Sequence, residues 1–344
     1  MAGIERGPLV GVIMGSDSDM GTMRETGQAL REAGLQPIVD YEFRVVSAHR
    51  TPHFMTQYAE EAAERGLQVI VAGAGGSAHL PGMVASETTL PVAGVAVTSN
   101  PSTLNRALGS LIGMPEGKPL ATFQAKAGAY QAGVFASRII LRDPTATRVG
   151  IVINLEEELE TMHHVGRALS TLGLQEDADY EYLPMPSDNG VPRPHAQKAW
   201  AGDKGFGVLI ACQGDTSRSV ADKLGWTTNL PVLGVALPRN PDYMGVALEA
   251  LTYPDAPGSN PAAAFQGPAG AFNAGLEAAR ILALDNPSLL QSIKDYDEGL
   301  RVSNGAKDKI MARLGDLAYD ALDKESLQRL IDTELAAAET GRGE

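Results

Sequence analysis

The chain has little of what several protein classes require. It contains one cysteine, Cys212, so no disulfide can form within the chain and a reducing compartment is expected. No apolar run approaches the ~20 residues that span a bilayer. The N-terminus lacks a basic start followed by an apolar stretch and a cleavage site. We therefore expect a cytoplasmic protein without a membrane partner.

Basic residues are also scarce. The 28 Lys and Arg are outnumbered by 42 Asp and Glu, which gives a net charge of -14. Nucleic acids require clustered cations, so a nucleic-acid partner is disfavoured. The six histidines and Cys212 show no zinc-like spacing, no GxSxG motif is present, and GxGxxG is absent from the first strand–helix turn. These absences argue against a metal site, a serine nucleophile elbow and a dinucleotide fold.

The chain does contain an internal repeat. The segment from Leu9, LVGVIMGSDSDMGTMRETGQALREAGL, matches the segment from Arg148, RVGIVINLEEELETMHHVGRALSTLGL. Further on, DYEF matches DYEY, and LPVAGVAV matches LPVLGVAL. Ordered matches over this length predict two tandem copies of one domain. The predicted divisions are residues 1–143, residues 148–284 and a tail at residues 285–344.

Each copy alternates short apolar runs with amphipathic stretches. This alternation predicts an α/β fold with a parallel sheet covered on both faces. Strands in copy one are expected at residues 9–14, 37–46, 67–72, 91–97 and 120–123. Helices are expected at 19–33 with Asp19 as cap, at 51–65, from about 81, from about 102 and at 128–141. Tail helices are expected at 287–300, 306–319 and 326–338. Ligands of such sheets bind at the carboxyl ends of the strands.

The first strand-end loop of copy one is Gly15-Ser16-Asp17-Ser18-Asp19. Backbone N–H groups at a helix start favour phosphate, and Asp19 suits sugar hydroxyls. Helix capping alone would also explain serine and aspartate here. Both interpretations stay open for this loop.

The second loop contains Ser47, His49 and Arg50. A guanidinium can hold phosphate bidentately, and an imidazole can shuttle a proton near neutral pH. A lone histidine at a strand end is usually structural. Its position between a hydroxyl and a guanidinium favours function.

The third loop runs from Ala72 to Gly82 with the sequence AGAGGSAHLPG. Its glycines let the backbone approach a ligand closely, although turns also use glycine freely. His79 is either a second polar contact or a structural histidine.

Together, MGSDSD, SAHRTP and AGAGGSAHLPGM closely resemble the three signatures of the PurE family, the 5-(carboxyamino)imidazole ribonucleotide mutases of purine biosynthesis. KAGAYQAGVFASRIIL resembles the last core segment of that family. The resemblance covers about Leu9 to Leu141 and is similar to the bacterial mutase class. It implies flavodoxin-like three-layer domains, a homo-oligomer, and carboxylate transfer from the exocyclic nitrogen to a ring carbon without metal or organic cofactor.

Carried over by position, the resemblance implies His49 and His79 as catalytic residues. His49 would move the ring proton and His79 would close the site. Ser16, Ser18 and Arg50 would hold the phosphate of a nucleotide substrate, and Asp19 its ribose. Ser47 and the backbone of Ala74, Gly75, Gly76 and Ser77 are implied to line the imidazole and the carboxylate, and Leu80 is implied as a further substrate-binding residue.

Copy two departs from all three signatures. The first becomes Asn154-Leu155-Glu156-Glu157-Glu158, in which carboxylates would repel a phosphate. The second signature corresponds to residues 186–191 and the third to residues 211–218. Neither contains the histidine that the matching signature of the first copy has. We expect copy two to be catalytically inactive, with a structural role and a tail that serves packing or assembly. If single-domain members of the family assemble as eight, symmetry would let four two-domain chains form the same assembly.

Two alternatives to the mutase remain. One is a paralogue that carboxylates or decarboxylates another heterocyclic nucleotide. The other is a scaffold that binds the nucleotide without turnover, which would not need His49. A separate ligand at residues 156–158 is weighed against simple helix-start capping, which we favour.

Overall fold

The computed structural model describes residues 7–97, 101–153, 158–184, 187–188, 191–192, 205–213, 220–237 and 263–340. The chain divides into two compact units, residues 1–290 and residues 291–344. Among the described residues, none of the helices combines the length and hydropathy that crossing a bilayer requires.

The first half of the larger unit alternates strands and helices as predicted. The strands are β1 Val10–Met14, β2 Tyr41–Val45, β3 Val69–Ala74, β4 Val92–Ala96 and β5 Ala121–Gln124. The helices are α1 Met20–Glu32, α2 Pro52–Glu61, α3 His79–Glu87, α4 Pro101–Ile112 and α5 Ala125–Ile140. A short 3-10 helix, Asp17–Asp19, precedes α1.

The second half of this unit has a similar order of elements. Its strands are β6 Arg148–Ile153, β7 Tyr180–Pro184, β8 Ser187–Asp188, β9 Val191–Pro192, β10 Phe206–Gln213, β11 Val232–Ala236 and β12 Ala263–Gln266. Its helices are α6 Leu159–Thr171, α7 Val220–Thr227 and α8 Gly267–Ala283.

One ten-stranded sheet runs through both halves in the order β2-β1-β3-β4-β5-β12-β11-β10-β6-β7. Neighbouring strands are parallel except at the centre, where β5 meets β12 in antiparallel fashion through Thr122 and Ala264. The predicted α/β class with a mainly parallel sheet is therefore confirmed. The two halves share a sheet, while β8 and β9 form a separate antiparallel pair.

Matching turns recur 139 residues apart. The N–H of Gln36 donates to the Asp40 carboxylate at 2.8 Å, and that of Gln175 donates to Asp179 at 2.9 Å. Within these turns Ile38 has a φ of 71° and Asp177 a φ of 65°. The first turn also explains why β2 begins at Tyr41 and not at the predicted residue 37.

The Asp19 cap prediction was wrong. Asp19 has helical backbone angles and makes no capping hydrogen bond through its side chain at α1. Ser16 caps instead, because its hydroxyl accepts a hydrogen bond from the Ser18 N–H and the chain enters a 3-10 turn first. The apolar pattern did not reveal that extra turn.

The smaller unit contains helical elements in the tail. The chain from residue 287 forms α9 Pro287–Leu314, followed by α10 Asp316–Asp320 and α11 Lys324–Thr340. The predicted break between residues 300 and 306 does not occur, because a glycine in a helix costs only about 1 kcal/mol. The helix ends at Gly315, which adopts a φ of 77°.

Helix α8 lies deep in the larger unit, and every residue from 270 to 283 is buried. Its Asn273 amide binds backbone groups of the first half at Pro115, Gly117 and Lys118. Its Glu277 is fully buried, and this burial raises the pKa of the carboxyl to about 8. The positive charge of Arg280 opposes that shift.

The raised pKa of Glu277 predicts a pH-dependent stability. The folded chain binds more protons at this residue than the unfolded chain between the ordinary pKa of 4.5 and about 8. The free energy of unfolding therefore falls as pH rises through this window. Glu277→Gln cannot ionise, so its Tm relative to the unmodified chain should rise from about pH 5 to about pH 8. Thermal unfolding at several pH values measures this, with the exposed Glu60→Gln as control. A difference that stays flat with pH would contradict the assignment.

Candidate functional site

The site lies at the carboxyl edge of three adjacent strands. Strand β1 pairs with β2 and β3 in parallel, with Met14 opposite Val45 on one side and Gly73 on the other. The three predicted loops follow these strand ends and so meet at one edge of the sheet. The Gly15 N–H donates to the Gly73 carbonyl at 3.2 Å, which joins the first loop to the third strand.

The first loop is shaped by its own polar side chains. The Ser16 hydroxyl accepts from the Ser18 N–H at 3.4 Å and donates to the Asp17 carboxylate at 3.1 Å. Ser16 is half-buried, and Ser18 is exposed. The capping interpretation thus holds for Ser16, while phosphate binding by this loop stays a prediction.

Asp19 is a partly buried carboxyl near a guanidinium. Burial raises the pKa of Asp19 above its ordinary value of 3.8. A hydrogen bond with the Ser16 backbone and the positive charge of Arg50 both oppose that rise. Asp19 and Arg50, predicted from separate loops, are therefore close enough to interact electrostatically.

Arg50 joins the first two loops. Its guanidinium donates to the Gly15 carbonyl at 3.0 Å and to the buried Ser47 hydroxyl at 3.4 Å. The Ser47 hydroxyl also accepts from the Arg50 N–H at 3.2 Å. Arg50 remains exposed, so a ligand can reach it while two protein contacts fix its direction. A fixed guanidinium beside a glycine loop is suited to an anion.

His49 and His79 form a direct contact. The His49 Nε2 and the His79 Nδ1 lie 3.0 Å apart, and the rings meet edge to face at 82°. A hydrogen bond between two ring nitrogens requires one donor and one acceptor, so the two facing atoms share one proton. The sequence predicted both residues but not their contact. The pair is exposed and can exchange a proton with a ligand.

The third loop presents backbone to the site. Gly75 and Gly76 are exposed, and Gly76 has a φ of 63°. Ala78 adopts the left-handed conformation with a φ of 44°, and its N–H donates to the Gly75 carbonyl at 3.0 Å. This turn places His79 at the start of α3. A left-handed conformation is strained for Ala78, and strained backbone of this kind is common at active sites.

The other predicted residues differ in how accessible they are. Ser77 is half-buried, whereas Ala74 is 7% exposed and Leu80 is 3% exposed within the hydrophobic core. We therefore expect a ligand to contact Ala74 or Leu80 through their backbone atoms and not through their side chains. Their predicted roles stay predictions.

Sequence reasoning missed Thr51. Its hydroxyl donates to the Ser47 carbonyl at 3.1 Å and accepts from the Ser47 N–H at 3.2 Å, which closes the turn that carries His49. A threonine directly before Pro52 is a typical helix-start signal and could have indicated this role.

The corresponding loops of the second half lie mostly outside the described residues. This applies to residues 154–157, 185–186, 189–190 and 214–219. Glu158 is described and is buried. The described part of the chain contains no group of three His, Cys, Asp or Glu side chains placed to hold a metal ion.

Comparison with known proteins identifies relatives of the first half. The family model for AIR carboxylase matches residues 9–151. The N5-carboxyaminoimidazole ribonucleotide mutase of Bacillus subtilis (strain 168) is 54% identical over 134 residues, which are 39% of this chain and 80% of that protein. The mutase of the same name from Saccharolobus solfataricus is 54% identical over 133 residues, 39% of this chain and 81% of that protein. Among solved structures, Treponema denticola PurE matches with a TM-score of 0.34 and 27% identity, over 39% of this chain and 80% of that chain.

The electrostatics of the site can be tested at Asp19. We expect its pKa above 3.8, and we expect Arg50→Met to raise it further because a nearby positive charge is removed. NMR titration of the carboxyl measures both values. Arg24→Met, an exposed change on α1, should leave the pKa of Asp19 unaltered. A pKa at or below 3.8, or no rise in Arg50→Met, would show that the site geometry is wrong.

Proposed function

The chain belongs to the AIR carboxylase family and is an isomerase, and we propose that its first half converts N5-carboxyaminoimidazole ribonucleotide to 4-carboxy-5-aminoimidazole ribonucleotide in purine biosynthesis. The contact between His49 and His79, on the same edge of the sheet as the Arg50 contact with Gly15, carries this proposal. A pair that can transfer a proton and a guanidinium that can bind an anion both support a carboxylate shift on an imidazole ribonucleotide.

The proposed binding mode follows the three loops. Arg50, Ser16 and Ser18 hold the phosphate, and Asp19 accepts hydrogen bonds from the ribose. The exposed backbone at Gly75 and Gly76 approaches the imidazole and its carboxylate. A glycine-lined surface lets the ring lie close to N–H donors without side-chain interference.

The proposed chemistry is balanced within the substrate. The bond from the exocyclic nitrogen to the carboxylate breaks, and that nitrogen gains a proton while carbon dioxide stays at the site. The electron-rich ring carbon then forms a bond to the carbon dioxide and releases its proton. His49 supplies the first proton and accepts the second, so no proton is gained or lost overall. His79 shares a proton with His49 and so sets which of its ring nitrogens is free to act.

We also propose that the chain is a tandem duplication with an inactive second copy. Matching turns at Ile38 and Asp177 and the mirrored strand order around the β5–β12 pair support this. We place the copies at residues 1–143 and 148–284, followed by the tail. We propose a homo-oligomer in which four chains supply eight domains, and its mass in solution is the test.

The activity assay is direct. Purified chain is given the carboxyamino nucleotide, and formation of the carboxylated product is followed. We expect turnover, and we expect His49→Asn to reduce kcat by about 10²-fold or more because the proton carrier is lost. Arg50→Met should raise KM because it removes a phosphate contact.

His53→Asn is the matched control, since His53 is an exposed histidine on α2 outside the three loops. Its kcat should stay unchanged. No turnover by the unmodified chain would favour the paralogue or the scaffold, and full activity in His49→Asn would remove the acid–base assignment.

A further inference from the structure

Two titratable residues of the second half are buried against the first half. Glu277 and Arg280 lie three residues apart on α8, and they are 0% and 2% exposed. Burying charged side chains is costly unless each is well partnered. Each makes a hydrogen bond to a backbone group of the first half, so we ask what the two residues do for that half.

Arg280 binds the end of the helix that begins with His79. Its guanidinium donates to the Ala85 carbonyl at 3.3 Å. Ala85 lies in the last turn of α3, where carbonyl groups have no partner within the helix. A positive charge at this end also interacts favourably with the helix dipole. Arg280, a residue of the second half, therefore fixes the position of α3 in the first half.

Glu277 binds the strand that follows this helix. One carboxyl oxygen accepts a hydrogen bond from the Val92 N–H at 3.2 Å, at the first residue of β4. Residues between Ala85 and Val92 connect α3 to β4. The two side chains thus hold both ends of that connection.

We propose that Glu277 and Arg280 are positioning residues for the active site of the first half. The inference rests on the proposed function and deepens it. By fixing α3 at its last turn, the pair keeps His79 at hydrogen-bond distance from His49. Helix α3 is only nine residues long, so a shift at Ala85 carries through to His79. The second half is then a structural part of the active site, although it supplies no group that touches the substrate.

The chain offers a matched control at Arg138. This residue of α5 donates to the Gly225 carbonyl at 2.8 Å and to the Leu230 carbonyl at 3.4 Å. Gly225 lies in the last turn of α7, so Arg138 binds the second half much as Arg280 binds the first. Arg138 is also largely buried, which lowers its pKa to about 10. The two arginines make comparable contacts, but one of them reaches α3.

The experiment compares Arg280→Met with Arg138→Met in the full-length chain. We expect both to lower Tm. Of the two variants, we expect only Arg280→Met to reduce kcat, by about tenfold or more with little change in KM, because His79 is misplaced while the phosphate contacts remain. Arg280→Lys, which keeps the charge, should restore part of kcat. Equal kcat losses in both methionine variants, or an unchanged kcat in Arg280→Met, would overturn the proposal.

A second measurement does not depend on turnover. The ring-nitrogen NMR signals of His49 and His79 report the proton that they share. We expect these signals to change in Arg280→Met and in Glu277→Met, which removes the acceptor of the Val92 N–H, and to stay unchanged in Arg138→Met. If the unmodified chain lacks mutase activity, the proposed function fails while these signals still test the positioning. If Arg280→Met does not fold, Arg280→Lys and Glu277→Met give the same test, and unchanged signals in both would contradict it.

Discussion

Parallel hydrogen bonding between β1 and its two neighbours determines where the site lies. Because β2 and β3 run in the same direction as β1, their carboxyl ends meet at one edge, and three loops distant in sequence become adjacent. The contacts of the site form between these three loops. Arg50 reaches Gly15 across that edge, and the left-handed turn at Ala78 directs His79 toward His49.

The sequence predicted the elements well where apolar runs are continuous and less well where a turn intervenes. Strand β1 was expected at residues 9–14 and forms at Val10–Met14, because every residue in it is buried. Strand β2 was expected to begin four residues too early. An apolar residue such as Ile38 gives no sign in the sequence that it adopts a left-handed conformation and forms a turn. The site loops were found from residue chemistry. The contact between His49 and His79 depends on how α3 packs, which local patterns do not encode.

The second half supplies burial and backbone contacts to the first. Helix α8 is buried on all sides because it packs on its own sheet and also contacts the first half. Arg280 and Ala85 are 195 residues apart in the chain, so no local pattern could have paired them. The retained fold of a half without the site histidines is explained if that half holds α3 and β4 in place. Under the proposed duplication, the second copy could then lack the proposed substrate-binding residues and still keep residues that contact the first half.

In the proposed mechanism a carboxylate moves within one nucleotide, and the released carbon dioxide stays at the site until it is bonded again. The most direct measurement uses nucleotide labelled with ¹³C in its carboxylate, with unlabelled bicarbonate in the solution. We expect most of the label to appear in the carboxylate on the ring carbon of the product. Product carrying mainly unlabelled carboxylate would contradict it, because the carbon dioxide would then have come from solution.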